Sequence, residues 1–323
     1  MIYLNESHLN EVGIPWEETI AVIEEVVRCL ESGEFVQPIK PYLRYHNPAN
    51  RIIAMPAFVG GDIYTAGIKW IASFPGNIDR NLPRASSVVI LNNAETGEPQ
   101  AIINTALLSC IRTASVTGSV IKRYMEHRPR ESYTLGMTGF GPIGRAHLSM
   151  ALSMWSDRIG TVKLYDPRPA DLQFLPEAYR SRIETVDRWQ DAYLGADLFL
   201  TCTVASEPYI DLPPKGGALL LNISLRDFKN DIYPHVRSGI VVDEWEEVCR
   251  QNTDIERLHL QEGLQKEMTH TLVDLLLGDW MDTLPPEEPV MFNPMGMAVF
   301  DVAMGRYYAD KALAANIGQL LPA

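Results

Sequence analysis

Lys69 stands in the middle of AGIKWIAS (Ala66–Ser73), a run that is otherwise small or apolar. A buried ammonium is costly unless an anion meets it. This lysine is therefore a candidate to pair with a ligand carboxylate, or to move a proton if desolvation lowers its pKa. Two more cations share apolar or extended settings: Arg44 in PYLRYH and Arg112 in LLSCIRTASVTG. Each carries a planar fork that fits a carboxylate. One such residue alone would mean little, because long cationic side chains often snorkel out of strands.

A second set of residues suits a dinucleotide. TLGMTGFGPIGRAHL spaces Gly139, Gly141 and Gly144 as G-x-G-x-x-G, with Pro142 and Ile143 inside the motif. The first glycine permits a tight turn, the second lets backbone approach a pyrophosphate, and the third permits close helix–strand packing. The helix that follows points unpaired N–H groups at the phosphates. Asp166, in KLYDPRP, stands at the end of the next strand, where a carboxylate holds ribose hydroxyls and repels a 2′-phosphate. The expected cofactor is NAD, although Arg168 nearby is the kind of residue that accepts the phosphate of NADP. Thr201, Thr203 and Ser206 end a later strand at its carboxyl edge, where such sheets bind ligands, and Ser224 is placed with them on the cofactor side.

These side chains need two kinds of scaffold. WEETIAVIEEVVRCLESGE has Ile20, Ile23, Val27 and Leu30 at helical spacing and stops near Gly33. From Phe35 to about Thr105 short Ile/Val/Ala runs alternate with Gly, Pro and Asn, and LNNAETGEPQAII reads as a hairpin turning at Gly97. A helix is expected from Thr113, immediately after Arg112. From Ser132 strands alternate with helices: SYTLGMTGF, TVKLYDP, DLFLTCT, GALLLNIS and GIVVD. That rhythm predicts a Rossmann-type, doubly wound parallel sheet in an α/β protein, joined to an α+β unit. The expected division is 1–113 plus a C-terminal helix 299–323 for substrate binding and dimerisation, and 114–298 for the dinucleotide. TLPPEEP reads as an exposed link, and the methionines of NPMGMAVFDVAM read as core.

The net charge is −13, from 41 acidic and 28 basic residues, which disfavours nucleic acid as a partner. Four scattered cysteines without a CxxC pair, and seven histidines without close spacing, predict neither a disulfide framework nor a metal site. The apolar runs are far short of the ~20 residues of a membrane span. MIYLNESHLNEVG has neither the basic nor the apolar region of a signal peptide, so a cytoplasmic location is expected.

The order R…GIKW…RTAxxTG…GxGxxG resembles the ornithine cyclodeaminase/μ-crystallin family through almost the whole chain. The resemblance implies that Arg44, Lys69 and Arg112 surround a substrate α-carboxylate, that Thr113 serves the cofactor, and that the protein is a homodimer. FVQPIKPYLRY, NRIIAMPAFVGG, GIKWIASFPGNI, GFGPIG and SLRDF are similar to one branch of dehydrogenases, which act on N-(2-amino-2-carboxyethyl)-L-glutamate. That branch implies a secondary amine cleaved to 2-oxoglutarate and L-2,3-diaminopropionate, the latter feeding siderophore or peptide-antibiotic assembly. The cyclodeaminases carry a GGDCPGKTEL-like segment; here NISLRDFKND replaces it, with Arg226 near the family's aspartate position and Asp227 one place on. Arg226 is expected to bind an extra substrate carboxylate, and Asp227 to partner water or the amine, although a loop ion pair would give the same letters. A related ketimine reductase, amino-acid dehydrogenase or cyclodeaminase stays open, as does a crystallin-like binder without turnover.

Overall fold

Nine-residue strands with one buried face build the first sheet. In the computed structural model, which describes residues 1–322, the strands of this region are β1 (Ile2–Asn5), β2 (Phe35–Val36), β3 (Tyr42–Leu43), β4 (Arg51–Val59), β5 (Thr65–Ser73), β6 (Ala85–Asn93) and β7 (Pro99–Asn104). The chain order across the sheet is Gln319–Leu320, β1, β7, β6, β5, β4, β2, with β3 also on β4. β4 to β7 are antiparallel neighbours, and β1 runs parallel to β7. Gly97, at φ 75°, makes the expected hairpin turn, its N–H donating to the Asn93 carbonyl.

Met55, Ala57, Val89, Leu91, Ala101 and Ile103 form the buried side of this sheet. The C-terminal helix, Ala298–Ala315, lies against it. Gly305 allows the approach: a Cβ there would stand 3.3 Å from both Ile103 Cδ1 and Val89 Cγ1. Helix α1 (Glu6–Val12) and helix α2 (Trp16–Ser32) follow β1, and α2 closes at Gly33 in the left-handed conformation. Helix α3 runs Leu107–His127, so Arg112 sits inside it rather than ahead of it. The early start has a local cause, since Thr105 Oγ1 accepts the Leu107 N–H at 3.0 Å.

The chain forms two compact units: Met1–Val116 with the segment from Gly296 onward, and Thr117–Met295. The second holds β8 (Tyr133–Thr138), β9 (Ile159–Tyr165), β10 (Ile183–Thr185), β11 (Leu198–Thr201), β12 (Leu219–Asn222), β13 (Ile240–Val242), β14 (His270–Thr271) and β15 (Val290–Asn293). All pair in parallel, in the order β10-β9-β8-β11-β12-β15-β13-β14. Their central members are buried throughout, as a sheet covered on both faces requires. The order reverses between β8 and β11, the switch point where such sheets bind ligands.

TLPPEEP is not a link out of this unit. Arg128 pins it, donating to the Glu288 carbonyl at 2.7 Å and the Pro285 carbonyl at 3.1 Å, and the chain then re-enters the sheet as β15 between β12 and β13. No helix among the described residues is long and apolar enough to cross a membrane.

His147, on helix α4 (Pro142–Trp155), is fully buried. Its Nδ1 meets the Ile143 carbonyl at 2.8 Å and its Nε2 the Thr117 hydroxyl at 2.9 Å. Burial pulls its pKa down to about 4, with the Ile143 hydrogen bond opposing. The unfolded chain therefore binds the proton first as pH falls through about 6.5, and the folded state loses stability from there to about 4. Chemical denaturation of the wild type and His147→Gln at pH 7 and pH 4.5 should show the wild type losing about 2 kcal/mol more than the variant. Equal losses would assign that acid sensitivity to other groups.

Candidate functional site

Lys69 meets its anion inside the protein. β5 sets it opposite Met55 of β4 and Val89 of β6, on the buried side of the sheet. There its Nζ lies 2.9 Å from Asp301 Oδ1, on the C-terminal helix. Arg112 Nε donates to the same oxygen at 2.8 Å. A ligand is thus not needed to supply the anion, which corrects the expectation drawn from the lysine alone. Lys69 and Asp301 are 1 % and 0 % exposed.

Burial pulls the Lys69 ammonium down to about 8; Asp301 opposes that, while Arg112 and Lys40 add to it. Burial would raise Asp301, but Arg112 and Lys69 outweigh it and hold the carboxyl below its usual range. Asp301 Oδ2 is buried and has no hydrogen-bond partner. Lys40, also buried, donates to the Gly296 carbonyl at 2.7 Å. Gly296 has φ 86°, and a Cβ there would stand 2.8 Å from Arg112 Nη1, so only glycine leaves room for the guanidinium.

Arg44 is exposed: it donates to the Pro48 carbonyl at 2.8 Å and lies over the Tyr42 ring. Thr113, one residue after Arg112, donates to the Ser109 carbonyl within α3 at 2.7 Å. Lys69 and Arg112 are therefore brought together at Asp301, whereas Arg44 is exposed beside Tyr42 and Pro48.

In the second unit, Gly139 turns at φ 88° so close to the β11 end that a Cβ would stand 2.5 Å from the Cys202 carbonyl. At Gly144 a Cβ would reach the Gly139 carbonyl at 2.3 Å, whereas the Cβ position at Gly141 is open. Pro142 opens α4, with Ile143 next to it. This is a cradle that a pyrophosphate fits and a side chain would fill. Asp166 ties the cradle to the β9 end, its Oδ2 accepting the Phe140 N–H at 2.7 Å and its Oδ1 the Arg168 N–H at 2.9 Å. A carboxylate has about four acceptor positions, so acceptor capacity is left for ribose hydroxyls. The Arg168 side chain is exposed. Arg145, the residue after Gly144, lies over both Phe140 and Phe174 at 5.5 Å, a cation–π clamp on the loop.

Thr201 is buried in the sheet, donating to Asn222 Oδ1 at 3.1 Å. The Thr203 and Ser224 hydroxyls both donate to Asp227, one to each carboxylate oxygen. Asp227 is itself buried. It organises the ends of β11 and β12 through those two hydroxyls. Asp254 lies behind it, accepting from Asn222 Nδ2 at 2.9 Å and from the Asp227 N–H at 3.2 Å. Burial is the main cause that raises its pKa to about 6. Arg226 braces the same loop, donating to the Gln251 and Ser224 carbonyls at 3.0 and 3.3 Å. No group of His, Cys, Asp and Glu among the described residues is arranged to hold a metal ion.

The sequence reading missed Asp301 and Lys40. The signal for Asp301 was present: an acid alone in the apolar AVFDVAM, the mirror image of Lys69 in AGIKWIAS.

The model of the ornithine cyclodeaminase/mu-crystallin family matches residues 6–316. The chain is 33 % identical to the N-((2S)-2-amino-2-carboxyethyl)-L-glutamate dehydrogenase of Staphylococcus aureus, over 99 % of this chain and 98 % of that one. Among solved structures, Thermococcus litoralis Δ1-pyrroline-2-carboxylate reductase, in complex with NADH and L-proline, superposes with a TM-score of 0.88 at 22 % identity, covering 99 % of this chain and all of that one. An archaeal alanine dehydrogenase dimer with bound NAD gives 0.82 at 24 % identity, covering 100 % and 99 %.

Asp166→Ala removes both the acceptor that holds the glycine loop and the carboxylate expected to meet the ribose. Titration of NADH by fluorescence should show Kd raised at least ~10-fold, the size of one lost charge-assisted hydrogen bond. An unchanged Kd would take Asp166 out of the dinucleotide site.

Proposed function

Since the chain belongs to the ornithine cyclodeaminase/mu-crystallin family, we propose that it is an NAD-dependent dehydrogenase of N-(2-amino-2-carboxyethyl)-L-glutamate. The full-length 33 % identity to the S. aureus enzyme of that activity is the observation that carries the reading. The conversion balances as conjugate, NAD⁺ and water giving 2-oxoglutarate, L-2,3-diaminopropionate, NADH and a proton. When bound, NAD supplies the two-electron oxidation at the glutamate-side α-carbon.

The chain's own residues bind and move protons. Gly139, Gly141, Gly144 and Asp166 hold the dinucleotide. Arg112 offers its terminal nitrogens to a substrate carboxylate, its Nε being committed to Asp301. Lys69, with a pKa near 8, is poised to exchange a proton with the substrate nitrogen or with attacking water near neutral pH. Arg226 and Asp227 fix the loop after β12. The diaminopropionate then enters siderophore or peptide-antibiotic assembly in the cytoplasm.

The protein acts as a homodimer in this reading. The sheet face away from the C-terminal helix carries Pro56, Ile68, Ile90 and Ile102 in one row across four strands, with Trp70 43 % exposed beside them. An apolar face of that kind suits a second copy of the chain. Ile68→Glu should convert a dimer to monomer in sedimentation velocity; a wild type already monomeric would discard the dimer.

The decisive assay mixes the protein with NAD and the glutamate conjugate, then follows NADH absorbance and the release of diaminopropionate. Lys69→Met should lower kcat/KM at least ~100-fold while NADH affinity stays near wild type. Full activity in that variant would remove Lys69 from the chemistry. No turnover of the conjugate by the wild type, with NADH-dependent reduction of a cyclic imine instead, would move the protein to the reductases of the family.

A further inference from the structure

Asp301 is costly to keep. It is a carboxylate in the first turn of the C-terminal helix whose neighbours Val299, Phe300, Val302, Ala303 and Met304 are all buried, and its Oδ2 has no donor. Replacing a buried ion pair by packed apolar side chains is often neutral or stabilising, so stability alone does not call for it. Among the described residues Asp301 Oδ2 is the one carboxylate oxygen buried without a partner, and such a group calls for an explanation. Its other oxygen is where Lys69 Nζ and Arg112 Nε converge, at 2.9 and 2.8 Å.

We propose that Asp301 is a positioning residue, one carboxylate oxygen fixing both the Lys69 ammonium and the Arg112 guanidinium in the geometry that the reaction uses. This rests on the role given above to Lys69 and deepens it. The C-terminal helix delivers Asp301 from above the sheet, β5 delivers Lys69 from within it, and α3 delivers Arg112. A shift in any one of them moves the other two. Charge matters as well as position. The charged and titratable groups acting on Lys69 are Asp301 from the helix, Arg112 and the buried Cys110 thiol from α3, and Lys40 from the segment after β2. The residues opposite on β4 and β6, Met55 and Val89, are uncharged. Asp301 is the anion in that set, so neutralising it destabilises the ammonium whichever protonation state the reaction needs.

The test compares Asp301→Asn, Asp301→Glu and Lys69→Met, reading the pH profile of kcat/KM and, with NADH bound, the titration of the Lys69 signal by NMR of ¹³Cε-lysine. The signal is assigned by its absence in Lys69→Met. Asp301→Asn should move both the Lys69 titration and the matching kinetic limb at least ~1 pH unit towards acid, one such unit being a tenfold change in proton affinity. Asp301→Glu keeps the charge, so the limb stays while kcat/KM falls at least ~10-fold from the displaced contact. A limb and an NMR titration unmoved in Asp301→Asn would overturn the proposal, and so would an unchanged kcat/KM in Asp301→Glu, which decides the matter if Asp301→Asn does not fold. Activity retained in Lys69→Met would instead defeat the role of Lys69, leaving the NMR shift to report on Asp301 separately.

Discussion

One carboxylate oxygen ties residues 69, 112 and 301 together. Asp301 Oδ1 receives both Lys69 Nζ and Arg112 Nε, and the three side chains come from a strand, a helix and a second helix far apart in the chain. Taking charges out of water costs several kcal/mol each, a cost that mutual attraction offsets only with good geometry. Removing one partner leaves an uncompensated charge and costs about 3–5 kcal/mol. The C-terminal helix is therefore bound into the first unit by electrostatics as well as by packing. Its first half is buried on nearly all sides, and glycine at 305 brings it down onto Val89 and Ile103.

In the second unit the inner buried carboxylate is met by neutral donors instead. Asp227 is buried like Asp301, yet its donors are the neutral hydroxyls of Thr203 and Ser224. Asp254 behind it has backbone N–H groups, Asn222 and Arg257. The raised pKa of Asp254, about 6, reflects burial first and Asp227 further down. Loop ends after β11 and β12 are thereby fixed where the sheet order reverses, next to the glycine cradle.

Much of this was legible in the sequence because it rests on local rules. The glycine spacing, the strand before it and Asp166 after it pick out a strand–turn–helix, in which Gly139 and Gly144 each meet a steric need and Gly141 leaves its Cβ position open. The α+β unit and the hairpin at Gly97 follow from alternation and turn chemistry. The strand Val290–Asn293 was not legible: four residues after a Pro-rich stretch carry no periodicity, and its pairing with β12 and β13 is settled by Arg128 and by the sheet. The start of α3 was misplaced because its cap, Thr105, directly follows β7 and reads as the end of that strand. The partner of Lys69 was missed for a deeper reason. A lone charge in an apolar run announces that an opposite charge is required, but not whether it lies in a ligand or 232 residues away in the same chain.

That distinction changes how a carboxylate ligand is to be recognised here. With Asp301 already facing Lys69, the lysine does not offer a bare positive charge, and in the reading proposed above the attraction for an acidic ligand passes to the donors Asp301 leaves over, chiefly the terminal nitrogens of Arg112. The chain as a whole carries a charge of −13, which repels a polyanion. At physiological salt, repulsion from exposed charges is screened within about 8 Å, while partly buried cations are screened much less. In the proposed function an acidic substrate is therefore discriminated at contact range by few, oriented donors and not drawn in by the general field. Such donors are useful only if they hold still, and the shared oxygen of Asp301 is what holds them.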